Sequence, residues 1–126
     1  MSTFDRIFDE VKEREPNVRE ISYDQFMQIK NSGEPYKLVD VLSRESYESG
    51  HIEDAISLPL SEICPECVEK ILSKDDRIIT YCGGFRCTMS TDATRKLSEM
   101  GYKVLDFKGG LEEWQKRGHE LAVFHR

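Results

Sequence analysis

Long apolar runs are missing from this chain of 126 residues. Nothing in it approaches the roughly 20 apolar positions that a membrane helix needs, so no membrane partner is expected. An excess of basic charge is missing as well. Eighteen Lys and Arg stand against 24 Asp and Glu, a formal net charge of −6. Nucleic acid, which demands a basic face, is therefore not an expected partner, although a local basic spot still suffices for a small anion. The opening residues, MSTFDRIFDEVKEREP, carry acidic side chains where a secretory leader would carry an apolar segment. Cytoplasmic residence is the resulting expectation, and in that reducing setting structural disulfides are not expected. Internal repeats, low-complexity tracts and linkers are absent too, which leaves one domain of ordinary size.

What is present alternates between two periodicities. Phe4, Ile7, Phe8 and Val11 repeat at helical spacing within 3–14, and Pro16 closes that segment. A short strand at Arg19–Ile21 follows, then Ser22 placed to cap a helix over about Asp24–Lys30. YKLVDV (36–41), AISLP (55–59), DRIITYC (76–82) and YKVLDF (102–107) read as buried strands. Between them lie helical segments at 43–50, at 61–74 with Ile63, Cys67, Val68, Ile71 and Leu72 on one face, and at Met89–Met100 before Gly101. The last helix spans 111–118, with Trp114 and Leu111 on its apolar side. Strands alternating with helices imply βα units, a parallel sheet and helices on both faces. Ligands of such sheets sit beyond the carboxyl ends of the strands, which singles out the loops after Val41, Tyr81 and Phe107.

The loop after Tyr81 carries the chemistry. In ITYCGGFRCTMS (79–90), Cys82 ends a strand, Gly83 and Gly84 permit a tight turn, and a helix begins near Thr88. Free N–H groups of the turn and of the helix start should converge there, and a thiol in that position should ionise more easily. Cys82 is the expected nucleophile, with Gly83, Gly84, Phe85, Arg86 and Thr88 around a bound substrate.

Three ordered motifs, LVDVLSRESYESGHIEDAISLPL (38–60), IITYCGG (78–84) and GYKVLDFKGGLEEW (101–114), make residues 19–119 resemble the rhodanese homology domain. The resemblance implies a three-layer α/β fold with a five-stranded, mostly parallel sheet. It separates a domain of residues 19–126 from an N-terminal helical extension of residues 1–18. It also implies a sulfurtransferase. Cys82 would take sulfane sulfur from thiosulfate, polysulfide or a persulfide and pass it to a thiophilic acceptor. The expected partners are a small sulfur anion or thiol, and a sulfur-carrier or thioredoxin-like protein. No metal and no organic cofactor are required.

The chain departs from the family pattern C-x-x-G-x-R: the arginine position is Cys87, and an arginine stands one residue earlier at Arg86. Leu42 occupies a second position at which many members carry arginine. Arg44 and Arg86 are the candidates to replace these anion-binding side chains, with Lys108 on the same edge. Cys87 can act as a resolving thiol that attacks the persulfide, or can simply pack beneath the helix start. Asp40 is expected to fix loops by hydrogen bonding, and His51 to make structural hydrogen bonds. Relatives with phosphatase or arsenate-reductase activity end a longer loop in arginine, which neither Cys87 nor Thr88 supplies.

Cys64-Pro-Glu-Cys67 has the spacing of a redox or metal pair. Joining it with Cys82 and Cys87 in a zinc site would require bridging roughly 10 Å across two strand spacings. Buried bystander thiols or an accessory redox pair remain. Three functions follow: a persulfide sulfurtransferase, a Cys82/Cys87 thiol–disulfide enzyme or sensor, and a non-catalytic rhodanese-like binding module.

Overall fold

Apolar side chains point both ways along the central strands, and that dictates two covering layers. A computed structural model describes residues 1–123, so residues 124–126 of the expected domain lie outside the described part. Five strands, β1 (Glu20–Ile21), β2 (Lys37–Asp40), β3 (Ile56–Ser57), β4 (Arg77–Tyr81) and β5 (Lys103–Phe107), form one sheet in the order β1-β5-β4-β2-β3. Every neighbouring pair is parallel.

On one face, Leu38, Ile79, Tyr81, Leu105 and Phe107 pack against three helices. These are α1 (Thr3–Glu10), through Phe4 and Ile7; α2 (Tyr23–Asn31), through Phe26 and Ile29; and α6 (Gly110–Lys116), through Trp114. On the other face, Val39, Ile78 and Val104 meet α4 (Pro65–Glu69), through Val68, and α5 (Met89–Glu99), through Ala93 and Leu97. The short α3 (Arg44–Ser49) follows β2 and lays Tyr47 against the first cluster. Successive residues of β4 thus serve opposite layers, and Cys82, next in line after Tyr81, belongs to the second.

Local signals explain the boundaries. Ser22 caps α2 in a reciprocal capping box: its Oγ accepts the Gln25 N–H at 3.1 Å, and the Gln25 side chain accepts the Ser22 N–H at 2.9 Å. Near the N-terminus, α1 is shorter than the expected 3–14 and ends at Glu10, with Val11 extended. Its Asp5 carboxylate bonds Arg77 and Lys103, each at 2.8 Å, which ties α1 to the amino ends of β4 and β5. Those two cations hold the Asp5 carboxyl well below the ordinary carboxylate range.

The helix expected over 61–74 is corrected. A 3₁₀ turn covers Leu60–Glu62, and α4 starts only at Pro65. Proline cannot donate to the preceding turn and crowds it, so a helix cannot run through this point. Cys64 is extended (φ −140°, ψ 155°) and acts as the cap, its Sγ accepting the Cys67 N–H at 3.2 Å. The apolar face shrinks to Ile63, Val68 and Leu72, while Cys67 and Ile71 are exposed. Cys64 and Cys67 are joined in a disulfide, Cα to Cα 5.2 Å, which overturns both the buried-thiol reading and the expectation of no disulfide.

Phe4 is 1% exposed and packs in the same cluster as the central strands. Phe4→Ala should therefore lower the unfolding free energy by about 3–5 kcal/mol in urea titration, as for a core phenylalanine. A loss below about 1 kcal/mol would show that α1 is not part of the cooperative unit.

Candidate active site

The site grows from a strand end gripped by a neighbouring helix. At the first residues of α6, the Leu111 N–H donates to the Cys82 carbonyl at 3.0 Å and the Glu112 N–H to the Gly83 carbonyl at 2.9 Å. This close approach explains Gly110: its φ is +55°, and a Cβ there would stand 2.2 Å from the Cys82 oxygen. The loop then closes on itself through the Cys87 N–H and the Gly84 carbonyl at 3.0 Å. The Lys108 ammonium donates to the Cys87 carbonyl, bracing the far end of the loop against the residue after β5.

Cys82 is fully buried. Its Sγ accepts the Ser90 N–H at 3.4 Å, and its S–H has two acceptors in reach, Ser90 Oγ at 3.3 Å and the Cys87 carbonyl at 3.5 Å. Burial, reinforced by the neighbouring Cys87, pushes the Cys82 thiol up to about 11, against the hydrogen bonds from Ser90. Cys87 goes the other way. Burial opposes its ionisation, but the Cys82 thiol, the N–H groups of Gly83 and Met89 and the charge of Lys108 outweigh it, so its pKa is lowered. The expectation of an easily ionised Cys82 is thereby corrected. The Gly83 and Met89 N–H groups turn to the sulfur of Cys87, and of the two thiols Cys82 is the harder to ionise.

The loop divides two openings. Gly83, Gly84, Arg86 and Cys87 border a cleft of about 260 Å3 with Glu112 on its other wall. Phe85 (53% exposed) and Thr88 turn to a groove of about 370 Å3 that Lys108 and Thr91 also line. Asp40 is buried at the end of β2, where its carboxylate accepts the Leu42 N–H at 2.9 Å and the Tyr81 hydroxyl at 2.7 Å. Tyr81 in turn accepts the Ile52 N–H at 3.0 Å, so Asp40 joins the loops after β2 and α3. Arg44 is not brought to Cys82. Its guanidinium bonds Glu62 at 2.5 Å and Ser57 at 3.3 Å, on the β3 edge of the sheet. His51 Nδ1 meets the Tyr47 carbonyl at 2.8 Å, with the two rings stacked.

Sequence reasoning passed over Ser90, Gly110, Glu112 and Asp106. The signal for Asp106 was an acid inside the apolar run VLDF, at the carboxyl end of a strand. Its side chain is fully buried beside α5, where Oδ2 accepts the Thr91 hydroxyl at 3.1 Å and Oδ1 has no partner among the described residues. Burial pushes the Asp106 carboxyl up to about 6, against the hydroxyls of Ser90 and Thr91 and the charge of Lys108.

A profile of the rhodanese-like domain matches residues 22–117. The thiosulfate sulfurtransferase PspE of Escherichia coli is 35% identical over 75 residues, covering 60% of this chain and 70% of PspE. The putative sulfur carrier protein YrkF of Bacillus subtilis is 31% identical over 103 residues, covering 81% of this chain and 54% of YrkF. The HTH-type transcriptional regulator Rv0324 of Mycobacterium tuberculosis is 38% identical over 81 residues, 64% of this chain but only 35% of that protein. The chain thus spans between about a third and about two thirds of these relatives' lengths. The crystal structure of BH2092 from Bacillus halodurans superposes with a TM-score of 0.74 at 36% identity, covering 85% of this chain and 77% of that one. A parallel three-layer sheet with a cysteine loop at the carboxyl end of its middle strand is the rhodanese-like architecture. The chain belongs to the rhodanese-like domain family.

Two predictions follow from the electrostatics. Brief iodoacetamide treatment near neutral pH, read by peptide mass mapping, should label half-buried Cys87, whose pKa is lowered, well ahead of buried Cys82, whose pKa is raised; the reverse order would contradict that ranking. For Asp106, the folded pKa lies above its unfolded value, so its contribution to stability is present at low pH and is lost as pH rises through the window from about 4 to about 6. The wild-type unfolding free energy minus that of Asp106→Asn should therefore fall by about 2 kcal/mol between about pH 4 and pH 7. A flat difference in denaturant titrations would show that the carboxyl titrates as it does in water.

Proposed function

We propose that the chain is a sulfurtransferase that carries sulfane sulfur as a persulfide on Cys82, with Cys87 as base and resolving thiol. The observation that carries this reading is the pair of free thiols in one glycine loop, with Cys82 Sγ 3.5 Å from the Cys87 carbonyl. Membership of the rhodanese-like domain family and likeness to proteins named thiosulfate sulfurtransferase and sulfur carrier support sulfur transfer as the chemistry.

The steps use this chain's own groups. Cys87 thiolate takes the Cys82 proton, and Cys82 thiolate attacks the outer sulfur of a donor such as thiosulfate. The S–S bond of the donor breaks, sulfite leaves with the electron pair, and Cys82 holds the sulfur as a persulfide. Loop N–H groups and Lys108 steady the negative charge that arrives with the donor. A thiol acceptor then removes the outer sulfur and returns Cys82 to the thiol. Where no acceptor is bound, Cys87 attacks Cys82 Sγ and passes the proton it took to the departing outer sulfur, which leaves as hydrosulfide with the electron pair of the broken S–S bond, and a Cys82–Cys87 disulfide remains for an external dithiol to reduce. The acceptor fits a small thiol, a sulfur-carrier protein or a thioredoxin-like protein in the cytoplasm. Gly83, Gly84, Phe85, Arg86 and Thr88 line the approach, and Asp40 holds the strand end.

A thiol–disulfide enzyme is the second reading, favoured by a thiol rather than arginine at Cys87. Mass spectrometry of reduced wild type and Cys87→Ser after thiosulfate, and separately polysulfide, with peptide mapping to separate a Cys82–Cys87 bond from the Cys64–Cys67 bond, tells them apart. Sulfur on Cys82 that persists in Cys87→Ser, with wild type two hydrogens lighter and free of extra sulfur, is the expected result. If neither protein gains sulfur from either donor, sulfur transfer is wrong and the redox reading takes its place.

A further inference from the structure

The mechanism uses Cys82 and Cys87 and leaves the other two cysteines unexplained. Those two are bonded to each other on the surface: Cys67 is exposed and Cys64 half-buried. A structural staple gains most when it closes a long loop, because the constraint it puts on the unfolded chain grows with loop length. This one joins residues only three apart. Nor does α4 depend on it for its place. Val68 is fully buried, Ile63 is 7% and Leu72 4% exposed, and all three belong to the core beneath the helix. Pro65 sets the backbone of the first turn, and the Cys67 N–H bond to Cys64 Sγ supplies the cap through a sulfur that is present in either redox state.

From this exposed bond, short loop and independent anchorage, we propose that Cys64 and Cys67 form a second, separate thiol–disulfide exchange site, open to low-molecular-weight thiols and to dithiol proteins. An incoming thiolate attacks exposed Cys67 Sγ and forms a mixed disulfide with it. The Cys64–Cys67 bond breaks, and Cys64 leaves as a thiolate held by the Cys67 N–H at 3.2 Å. A second thiol then attacks the mixed disulfide, releases Cys67 and carries away the two sulfurs as an external disulfide. Two thiols are oxidised, and the protein disulfide gains two electrons and two protons. The reverse reaction, driven by an external disulfide, restores the bond. Glu66 and Glu69 against one cation, the cap residue Lys70, leave this short helix net acidic, which disfavours anionic thiols relative to cationic ones.

The test uses the full chain carrying Cys82→Ser and Cys87→Ser, so its outcome does not depend on sulfur transfer. The protein is equilibrated in mixtures of reduced and oxidised glutathione, quenched by alkylation and weighed intact, with circular dichroism and Tm recorded on both redox forms. Reversible interchange of dithiol and disulfide in the folded protein is expected, with Tm changing by only a few degrees. Cysteamine should reduce the bond several-fold faster than mercaptoethanesulfonate at low ionic strength, with the ratio shrinking in salt. With one cysteine of the pair replaced in the same background, Cys67 in Cys64→Ser should form the glutathione mixed disulfide faster than Cys64 in Cys67→Ser. A bond that resists reduction until the protein unfolds, or a dithiol that never oxidises, would overturn the proposal. The opposite order of the single variants would overturn Cys67 as the sulfur attacked.

Discussion

Two backbone hydrogen bonds organise the candidate site: the N–H groups of Leu111 and Glu112 hold the carbonyls of Cys82 and Gly83. They join the ends of two neighbouring parallel strands, β4 through its loop and β5 through the start of α6. Each satisfies a helix-start donor and a loop carbonyl together. The contact is so close that position 110 admits only glycine, because any Cβ would occupy the space of the Cys82 oxygen. The shape of the cysteine loop is thus imposed by a partner lying about thirty residues further along the chain.

That shape decides where charge resides. A cysteine at a glycine turn before a helix is ordinarily expected to ionise readily. Here the loop folds over Cys82 and seals it, and desolvation outweighs the donors that reach it. Cys87, further along the same loop, receives the N–H groups of Gly83 and Met89 and the field of Lys108. Asp106 beneath α5 is another buried group held from its ordinary state, its charge opposed by the same loss of water. A lysine ammonium braces the loop end through a carbonyl, and the guanidinium of Arg44 is spent on Glu62 and Ser57 instead.

The departure from the family pattern thereby acquires a physical meaning. An arginine at position 87 would offer fixed positive charge to a bound anion. A thiol there offers a proton acceptor and a second nucleophile, and takes away a permanent anion clamp. The loop is better matched to chemistry between sulfurs than to tight holding of an oxyanion.

The sequence by itself determined the five strands, the six helical segments, the parallel α/β architecture and the loop that carries the cysteines, because these follow from local periodicity, from turn chemistry and from ordered motifs. Ser22 and Pro65 show both sides of that legibility: the first announced a capped helix, while the second, inside the helix expected over 61–74, begins one much shorter than expected. Tertiary structure alone decided the rest. That Arg44 faces Glu62, that Gly110 touches Cys82, that Asp106 lies beside Ser90 and Thr91, and that Cys82 is buried all depend on distances between segments separated in the chain. Burial and long-range pairing set these, and no local pattern encodes how much water a folded loop excludes.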